Sequence, residues 1–412
     1  MSFNNIPKIK DKNIVDKAIF KVIDKYSFSI FIGILIIVSL LIRVPFKNYQ
    51  SGDYTFFLKD WITYLNTHGG FRGIATVPSD YNVPYLYILA IISKFPQNAL
   101  ILIKSVSIIF DYALALSGVL LIGELFKADK SKKFIQAIIF ILIIFLPEVI
   151  LDGAAGAQCD SIYTFFCIMT IYFVLVKKYN LGFIMLGIAF AFKLQAIFIL
   201  PVLIILYFTN RKYSILHFLW ILAMDFLLYI PALLMGRPLS QIITVYLNQA
   251  TEYKNLEIDT PNIYSLFYSG QNDMLKTAGI LFTLAIFIMI LFIVIHKGRE
   301  LGSNDIINFS LLSSLLCVYF LPSMHERYIY LACIFSVIYG LINRKQKWKF
   351  IVPAIINFVA FISMLKFLWY YELVSMPMLA GLLAIAIGIV LIDFFGGLNR
   401  NIYKNIEKSS SS

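Results

Sequence analysis

Charged residues, cysteine and histidine are all scarce in this sequence. Only 14% of its 412 residues are Asp, Glu, Lys or Arg, whereas soluble domains have about 25%. The four cysteines lie far apart, and no two of them have the spacing of a zinc site. The low content of charged residues excludes an ordinary soluble domain. Because the cysteines have no zinc-site spacing, we predict that Cys159, Cys167, Cys317 and Cys333 are core residues.

The motifs of two large enzyme classes are also missing. The sequence contains no HExxH zinc-binding motif and no GxxxxGKS/T loop of the kind that cradles phosphates. Its carboxylates stand at isolated positions, and isolated carboxylates do not define a metal site. We therefore expect no essential metal, no cofactor and no direct use of a nucleotide.

Long apolar runs dominate the chain instead. Hydrophobic residues make up 60% of it, and many runs reach the roughly 20 residues that cross a bilayer. We predict an all-α polytopic membrane protein, residues 1–412 forming one integral membrane domain with about twelve transmembrane helices. The net charge of +12 does not indicate nucleic-acid binding, because Lys and Arg concentrate in short loops, as the positive-inside rule expects.

The chain is predicted to begin in the cytoplasm. Residues 1–25 form a cytoplasmic N-terminus with an amphipathic helix, which lies on the membrane surface or continues into the first span. That span, 26–46, leads to a first large outer loop, 47–98. Within the loop, residues 84–95 are apolar but too short to cross, so we predict an interfacial helix. This choice leaves the lysines of 127–133 in the cytoplasm, as the positive-inside rule requires.

A lysine in the middle of an apolar run indicates a break in the helix. Lys193 and Gln195 lie at the centre of residues 181–208. An ionisable side chain at mid-membrane is unfavourable unless it faces a cavity or a partner. We predict two short helices, 181–193 and 196–208, whose tip points into an outward-facing cavity.

The remaining spans complete the topology. A second, shorter outer loop covers 151–159, and a second large outer loop covers 236–272. A cytoplasmic tail, 396–412, ends the chain, so both termini lie inside. The other predicted spans are 99–126, 134–150, 160–176, 213–235, 273–296, 304–321, 327–343, 349–368 and 376–395.

This topology puts the polar residues that are awkward in a membrane on the outer face. Acids, cations and amides converging on one face are typical of a functional site. Asp53 directly follows the first span, where its carboxylate can deprotonate a hydroxyl while a lipid-bound donor lies in the adjacent bilayer. We therefore predict a membrane glycosyltransferase with Asp53 as its base. The other members are Asp60, Asp80, Asn82, Asp152, Gln158, Asp160, Lys193, Gln195, Asn248, Gln249, Asn262, Tyr264, His325, Glu326 and Arg327.

Structural roles compete with this interpretation at several positions. Asp53 could be a loop or turn residue, and Asp160 at the start of a span could cap the helix. The chain at Asp80 and Asn82 could simply turn before Pro84. A different function is also open, because a lipid-linked sugar flippase or secondary transporter would place ionisable residues in mid-membrane too.

Several motifs together resemble the glycosyltransferase C superfamily, especially its bacterial branch related to GPI-anchor mannosyltransferases. The resemblance covers nearly the whole chain, and only the combined order and spacing of the motifs are specific. The chain departs from the family pattern at Gly156-Ala157, where Trp-Gly usually precedes Gln-Cys-Asp. The motifs are SGDYTFFLKDW (Ser51–Trp61), GG (Gly69-Gly70), SDYNVPYLY (Ser79–Tyr87), AQCDSIYTFF (Ala157–Phe166), FKLQAIFILP (Phe192–Pro201), YLNQ (Tyr246–Gln249), PNIYSL (Pro261–Leu266) and LPSMHERYIYL (Leu321–Leu331).

The resemblance implies a helix bundle under a large first extracytoplasmic loop that carries the catalytic aspartate, matched here by Asp53. It implies a polyprenyl-phosphate-linked sugar as donor, inversion at the anomeric carbon, and mannose as the sugar. In that mechanism Lys193, His325 and Arg327 would bind the donor phosphate. The acceptor would be a glycan, glycolipid or protein of the bacterial cell envelope. Asp80, Asn82, Gln158, Asp160, Gln195 and Glu326 would orient the sugar and the acceptor.

Overall fold

The computed structural model describes residues 14–409, and these form an all-α multi-pass membrane protein with one short pair of strands. The chain divides into two compact units at Phe46. The described part of the first unit is α1 (Ile14–Arg43) and the turn Val44–Phe46. The second unit begins at Lys47 and contains all the other elements.

Fifteen α-helices form the second unit among the residues that the structure describes. Short 3-10 and π-helical turns join several of them. The helices are α2 (Lys59–Thr67), α3 (Val83–Ile92), α4 (Ala99–Leu125), α5 (Lys132–Phe145), α6 (Pro147–Ile150), α7 (Asp160–Leu175), α8 (Tyr179–Phe192), α9 (Leu200–Thr209), α10 (Leu219–Leu234), α11 (Leu239–Glu252), α12 (Asp273–His296), α13 (Ser303–Phe320), α14 (Tyr330–Ile342), α15 (Ile351–Trp369) and α16 (Met376–Ser409).

Six helical segments in the described part of the chain are long and apolar enough to cross a membrane. A seventh is added if the bent pair α5 and Pro147–Ala155 counts as one span. The prediction of a polytopic all-α membrane protein is therefore confirmed. The six segments are Lys25–Phe46, Pro96–Leu125, Ile215–Leu234, Asp273–His296, Lys347–Trp369 and Met376–Leu398.

Two groups of packed helices build the second unit. One group consists of α4, α5, α7, α8 and α10, and the other consists of α13, α14, α15 and α16. Helix α5 of the first group contacts α14 of the second. The short helix α6 contacts both α5 and α15, and so also links the groups. Almost every residue of α13 and α14 is buried, which is the pattern of helices that are enclosed on all sides.

Pro147 breaks the span that was predicted for 134–150. A residue before proline is disfavoured in helical geometry, and Leu146 is accordingly extended, with φ −58° and ψ 130°. Helix α5 ends at Phe145, and Pro147–Ala155 continues at an angle of 52°. The prediction of an outer loop over 151–159 is wrong in its first part, because residues 151–155 are a buried π-helical turn.

The predicted break at Lys193 is present. Helix α8 ends at Phe192, Lys193 is extended with φ −153° and ψ 136°, and a 3-10 turn follows over Leu194–Ile199. Helix α9 then begins with Pro201 in its first turn, where a proline is tolerated. Residues 181–208 are thus two short helices, each shorter than the roughly 20 residues of a full span.

Residues 47–98 are largely helical. Helix α3 has 10 residues, about 15 Å at 1.5 Å per residue, so it is a short apolar helix that cannot span, as predicted for residues 84–95. Asn82 caps α3, since its side-chain oxygen accepts a hydrogen bond from the Val83 amide at 2.9 Å. Around α2 and α3, Leu65, Leu86 and neighbouring apolar side chains form a buried core.

Both ends of the chain differ from the prediction. Helix α1 runs without interruption from Ile14 to Arg43. The helix over residues 14–25 therefore continues into the first span, and the prediction of a separate surface helix is wrong. Helix α16 extends to Ser409, although a tail was predicted from residue 396. Residues 1–13 and 410–412 of the predicted termini lie outside the described residues.

A short parallel strand pair was not predicted. Strand β1 (Glu257–Ile258) pairs with β2 (Met324–His325), with Ile258 opposite His325. Two-residue strands have no periodicity that a sequence could reveal. The pair fastens residues 236–272 to the segment before α14, which brings α11 close to residues 321–328.

Candidate functional site

A cavity of ≈ 330 Å³ lies within the second unit, where segments far apart in the sequence meet. Its walls come from residues 53–61, the break between α8 and α9, α11, the start of α12, and residues 321–328. Aromatic and aliphatic side chains make up much of the lining. The polar and charged lining residues are Asp53, Asp80, Gln158, Lys193, Gln195, Gln249, Lys276, Ser323 and Arg327.

Asp53 lies in the cavity wall at the start of the π-helical turn Tyr54–Leu58. Its Oδ2 atom lies 3.1 Å from Arg327 Nη1, with which it forms an ion pair. The same oxygen accepts a hydrogen bond from the Gln158 side-chain amide. Gln158 is itself oriented, because its Oε1 accepts a hydrogen bond from the Tyr81 hydroxyl at 2.8 Å. Asp53 is therefore held in one position.

Arg327 joins two carboxylates. Its Nη1 forms an ion pair with Asp53 Oδ2 at 3.1 Å and donates a hydrogen bond to Glu326 Oε1 at 2.9 Å. Glu326 is only 1% exposed and does not line the cavity. Burial raises the pKa of Glu326 to about 7, against the opposing effect of the Arg327 charge.

A second buried ion pair lies on another wall of the cavity. Lys193 Nζ is 2.6 Å from Asp160 Oδ2, and the Asp160 side chain is fully buried. The Lys193 ammonium also lies 5.7 Å from the centre of the Tyr81 ring. Lys193 reaches Asp160 because the chain is extended at the break after α8.

A short turn holds the Asp53 segment against Gln158. Ser51 Oγ donates to the Gly156 carbonyl at 2.7 Å and accepts from the Tyr54 amide at 3.2 Å. Ala157 is in the left-handed region, with φ 58°, which costs an L-residue roughly 1–2 kcal/mol relative to its usual conformation. The glycine that the family pattern has at this position would carry no such strain.

We predict that Ser51→Ala loosens this attachment. The variant loses two hydrogen bonds at a residue that is 1% exposed, so the free energy of unfolding should fall by about 1–3 kcal/mol. The rate of any reaction that depends on the position of Asp53 should fall about tenfold or more. Ser105→Ala, which removes only a bond to the carbonyl of Ile101 in the same helix, is the control for thermal unfolding and activity. Equal behaviour of the two variants would contradict the role of Ser51.

A side chain at Gly156 is predicted to disrupt the turn. A Cβ atom there would lie 2.7 Å from the Asp152 carbonyl oxygen and 3.4 Å from Gln158 Cγ. We expect Gly156→Trp to destabilise the protein by about 1–3 kcal/mol, and Gly156→Ala to do so less. Gly388→Ala is the control, since nothing lies within 4 Å of its Cβ position. A fully stable Gly156→Trp protein in thermal unfolding would show that the turn has room.

Of the ten residues to which the sequence analysis assigned a role, the structure brings six to the cavity wall. These are Asp53, Asp80, Gln158, Lys193, Gln195 and Arg327. Gln195 Oε1 is buried without a hydrogen-bond partner. The four that do not line the cavity are Asn82, Asp160, His325 and Glu326.

Asn82 and Asp160 lie behind the cavity wall. Asn82 caps α3, and its Nδ2 donates to the hydroxyls of Tyr229 at 2.9 Å and Tyr246 at 3.2 Å. Asp160 begins α7, but it is bound to Lys193. Direct contact of either side chain with a sugar, as predicted, does not follow from this geometry, because both are engaged by the protein.

His325 is enclosed within the protein. It is 7% exposed, and its ring packs edge-to-face on Tyr253 with centroids 4.4 Å apart. Burial, with the charges of Arg327 and Lys193, holds the pKa of His325 well below its usual range. A neutral, buried imidazole is a weak ligand for phosphate, so the predicted role of His325 has no support from its position.

The segment 236–272 and the start of α12 contribute lining residues to which sequence reasoning gave no individual role, although it placed Gln249 on the outer face. Tyr246, Gln249 and Tyr253 lie on or next to α11, and Lys276 lies in the first turn of α12. Gln249 donates to the Asp80 carbonyl, and Lys276 Nζ donates to the Tyr253 carbonyl at 2.7 Å. A lysine in the first turn of a long apolar span was the signal available for Lys276.

The described residues contain no group of three or more His, Cys, Asp or Glu side chains that could hold a metal ion. The four cysteines are buried and free, as predicted. In comparisons with known proteins, no protein-family model and no curated protein matches the chain.

Proposed function

We propose that this chain is an inverting glycosyltransferase with Asp53 as its general base. It moves a hexose, mannose in the first instance, from a polyprenyl-phosphate-sugar donor to an acceptor of the bacterial cell envelope. The observation that carries the proposal is one cavity whose lining brings the Asp53 carboxylate together with the cations Lys193 and Arg327, beside apolar walls. These are the groups that this reaction requires.

The cations suit a phosphate leaving group. When the anomeric C–O bond breaks, its electron pair goes to the phosphate oxygen, and positive charges nearby stabilise that oxygen by a few kcal/mol each. Lys193 and Arg327 are both about 92% buried, so water screens them little. A lipid phosphate at the membrane surface would lie between them.

Asp53 supplies the other half of the chemistry. The acceptor hydroxyl attacks the anomeric carbon from the face opposite the phosphate, and its proton passes to the Asp53 carboxylate. The new C–O bond forms as the bond to phosphate breaks, which inverts the configuration. Help of this kind from a general base contributes roughly 100- to 10,000-fold.

The rest of the lining suits a sugar and a lipid. The rings of Trp61 and Tyr81 contact each other in the wall, with centroids 5.5 Å apart. They give the cavity an aromatic surface, and Gln158 and Gln195 are also part of its lining. The apolar rings offer a sugar a stacking surface, and the amides offer its hydroxyls hydrogen bonds. Ile280 of α12 is both exposed and part of the lining, so a lipid chain can reach the cavity from that side.

The proposal includes a twelve-pass topology with cytoplasmic termini and a cavity open to the outside of the plasma membrane. Asp53 follows the first span directly, and the lysine-rich loops would then face the cytoplasm. Helices α7, α8, α9 and α14, of 16, 14, 10 and 13 residues, are short for a bilayer. They would cross where neighbouring protein or the cavity shortens the apolar path.

The reaction is expected to need no added metal. Lys193 and Arg327 already supply the positive charge that a divalent ion would bring to the phosphate. We expect full transfer after treatment with excess EDTA. The measurement is transfer by the chelated protein before and after addition of Mn²⁺ or Mg²⁺. Loss of activity that either ion restores would contradict this part of the proposal.

Proteoliposomes separate this function from lipid flipping. Purified protein is supplied with radiolabelled polyprenyl-phosphate sugars on one side and membrane acceptors. A transferase moves label from the lipid to the acceptor, whereas a flippase moves intact labelled lipid to the opposite leaflet. We expect transfer from at least one donor. Flipping without transfer from any donor would favour the alternative function.

A further inference from the structure

The resting arrangement of Asp53 and Arg327 poses a chemical problem. Asp53 Oδ2 accepts a hydrogen bond from Gln158 and forms an ion pair with Arg327 Nη1, 3.1 Å away. If Asp53 took a proton in this state, the guanidinium would lose a partner in a poorly hydrated wall, which is unfavourable. A base of this kind needs Arg327 to move to another anion first.

Arg327 has unused hydrogen-bonding capacity. A guanidinium has five N–H donors, yet both of its ion pairs here use Nη1. Its Nε is buried without a hydrogen-bond partner, and the residue is 8% exposed. Arginine binds phosphate through two parallel N–H donors, and Arg327 lines the cavity with donors that its two ion pairs do not use.

Glu326 can hold the guanidinium during such a move. It is fixed beside Arg327 in the 3-10 turn Glu326–Ile329, and its contact with Nη1 is shorter than that of Asp53, 2.9 Å against 3.1 Å. Glu326 is buried and does not line the cavity, so an incoming ligand does not compete for it directly. The neighbouring ionisable groups are His325, 3.9 Å away, and Glu148.

We propose that Arg327 passes from Asp53 to the donor phosphate when the lipid binds, and that Glu326 is the positioning residue that anchors it throughout. Asp53 is then released only in the donor-bound protein, where a sugar is present to react. This inference rests on the proposed function for the identity of the donor. It assigns Glu326 a role behind the cavity wall in place of direct sugar binding.

The second ion pair should not exchange in this way. Asp160 is fully buried and outside the cavity lining, so a ligand cannot replace it at Lys193 by occupying the cavity. Asp53 is the more open of the two acids, with a side chain 18% exposed. The exchange is therefore specific to Arg327.

Carbodiimide labelling of full-length purified protein tests the exchange. The modification of Asp53 is measured by peptide mass spectrometry, with and without a polyprenyl monophosphate that carries no sugar, and with binding of the lipid measured in parallel. We expect labelling of Asp53 to rise several-fold with bound lipid, while labelling of the exposed Asp60 stays constant. Inorganic phosphate in a parallel arm shows whether the phosphate group alone suffices or the lipid is needed.

Glu326→Gln tests the anchor. Loss of a charge-assisted hydrogen bond to Arg327 should raise the lipid concentration for half-maximal Asp53 labelling about tenfold or more. Glu326→Asp, which keeps the carboxylate, should recover part of this shift. An unshifted titration in folded Glu326→Gln protein would overturn the role of Glu326.

The exchange is tested by the labelling of the wild-type protein alone. It can therefore still be tested if Glu326→Gln does not fold. Unchanged or reduced Asp53 labelling with lipid bound would overturn the exchange, as would failure of the lipid phosphate to bind. The transfer assay separates this result from the proposed function. Transfer without a labelling change would refute the exchange alone, and a labelling change without transfer from any donor would refute the glycosyltransferase alone.

Discussion

Lys193→Met is expected to destabilise the protein by about 3–5 kcal/mol, because it leaves the Asp160 carboxylate buried without its partner. The double variant Lys193→Met/Asp160→Leu removes both charges and should recover most of this loss, since replacing a buried pair with apolar groups is often neutral. Thermal unfolding of the purified proteins in one detergent measures both effects. The double variant should nevertheless lack transferase activity, because the cavity has lost a cation.

The pair formed by Lys212 and Glu300 is the matched control. Its atoms are also close, at 2.8 Å, but the two side chains are 50% and 60% exposed. Water and salt screen such a pair, so Lys212→Met should change the unfolding temperature far less than Lys193→Met. Similar small losses for both lysines would show that the pair with Asp160 contributes little to folding.

Asp53→Asn is expected to reduce sugar transfer by roughly 100- to 10,000-fold, while donor binding is retained or strengthened because the neutral amide no longer competes with the phosphate for Arg327. Asparagine has nearly the same shape, but its amide cannot accept the proton of the acceptor hydroxyl. Arg327 keeps Glu326 as a partner, so the variant should fold. The measurement is the initial rate of transfer beside equilibrium binding of the lipid donor to the same preparation.

Asp60→Asn serves as the control for Asp53→Asn. Asp60 lies seven residues further on, in α2, and is exposed. Its replacement should leave transfer within about twofold of wild type, since surface substitutions rarely matter. An Asp53→Asn protein that keeps more than about a tenth of the wild-type rate would exclude Asp53 as the base.

The membrane character and most helix positions could be predicted from apolar runs alone. The predicted span 273–296 coincides with α12, because few polar residues interrupt it. The break at Lys193 was also predictable, since an ammonium at that depth requires a cavity or a partner. The bend at Pro147 was not predicted, because it depends on a single proline. The length of α16 was not predicted either, because the continuation of that helix depends on local packing.

The sequence indicated the acids and cations of the cavity but not their pairing. Asp53, Lys193 and Arg327 stand out because charge is scarce among apolar runs. Asn82 and His325 have the same appearance in the sequence, yet one caps a helix and the other packs on Tyr253. Only tertiary structure distinguishes a polar side chain that satisfies its own backbone from one that faces a cavity.

The most direct measurement of the central claim is a single-turnover transfer experiment with purified wild-type protein and Asp53→Asn. A stoichiometric amount of radiolabelled polyprenyl-phosphate sugar is mixed with enzyme and membrane acceptors, and label is followed in both. We predict that the wild type moves label from lipid to acceptor with inversion, and that Asp53→Asn binds the lipid but does not. Equal transfer by both proteins, or binding with no transfer by the wild type from any donor, would contradict the account.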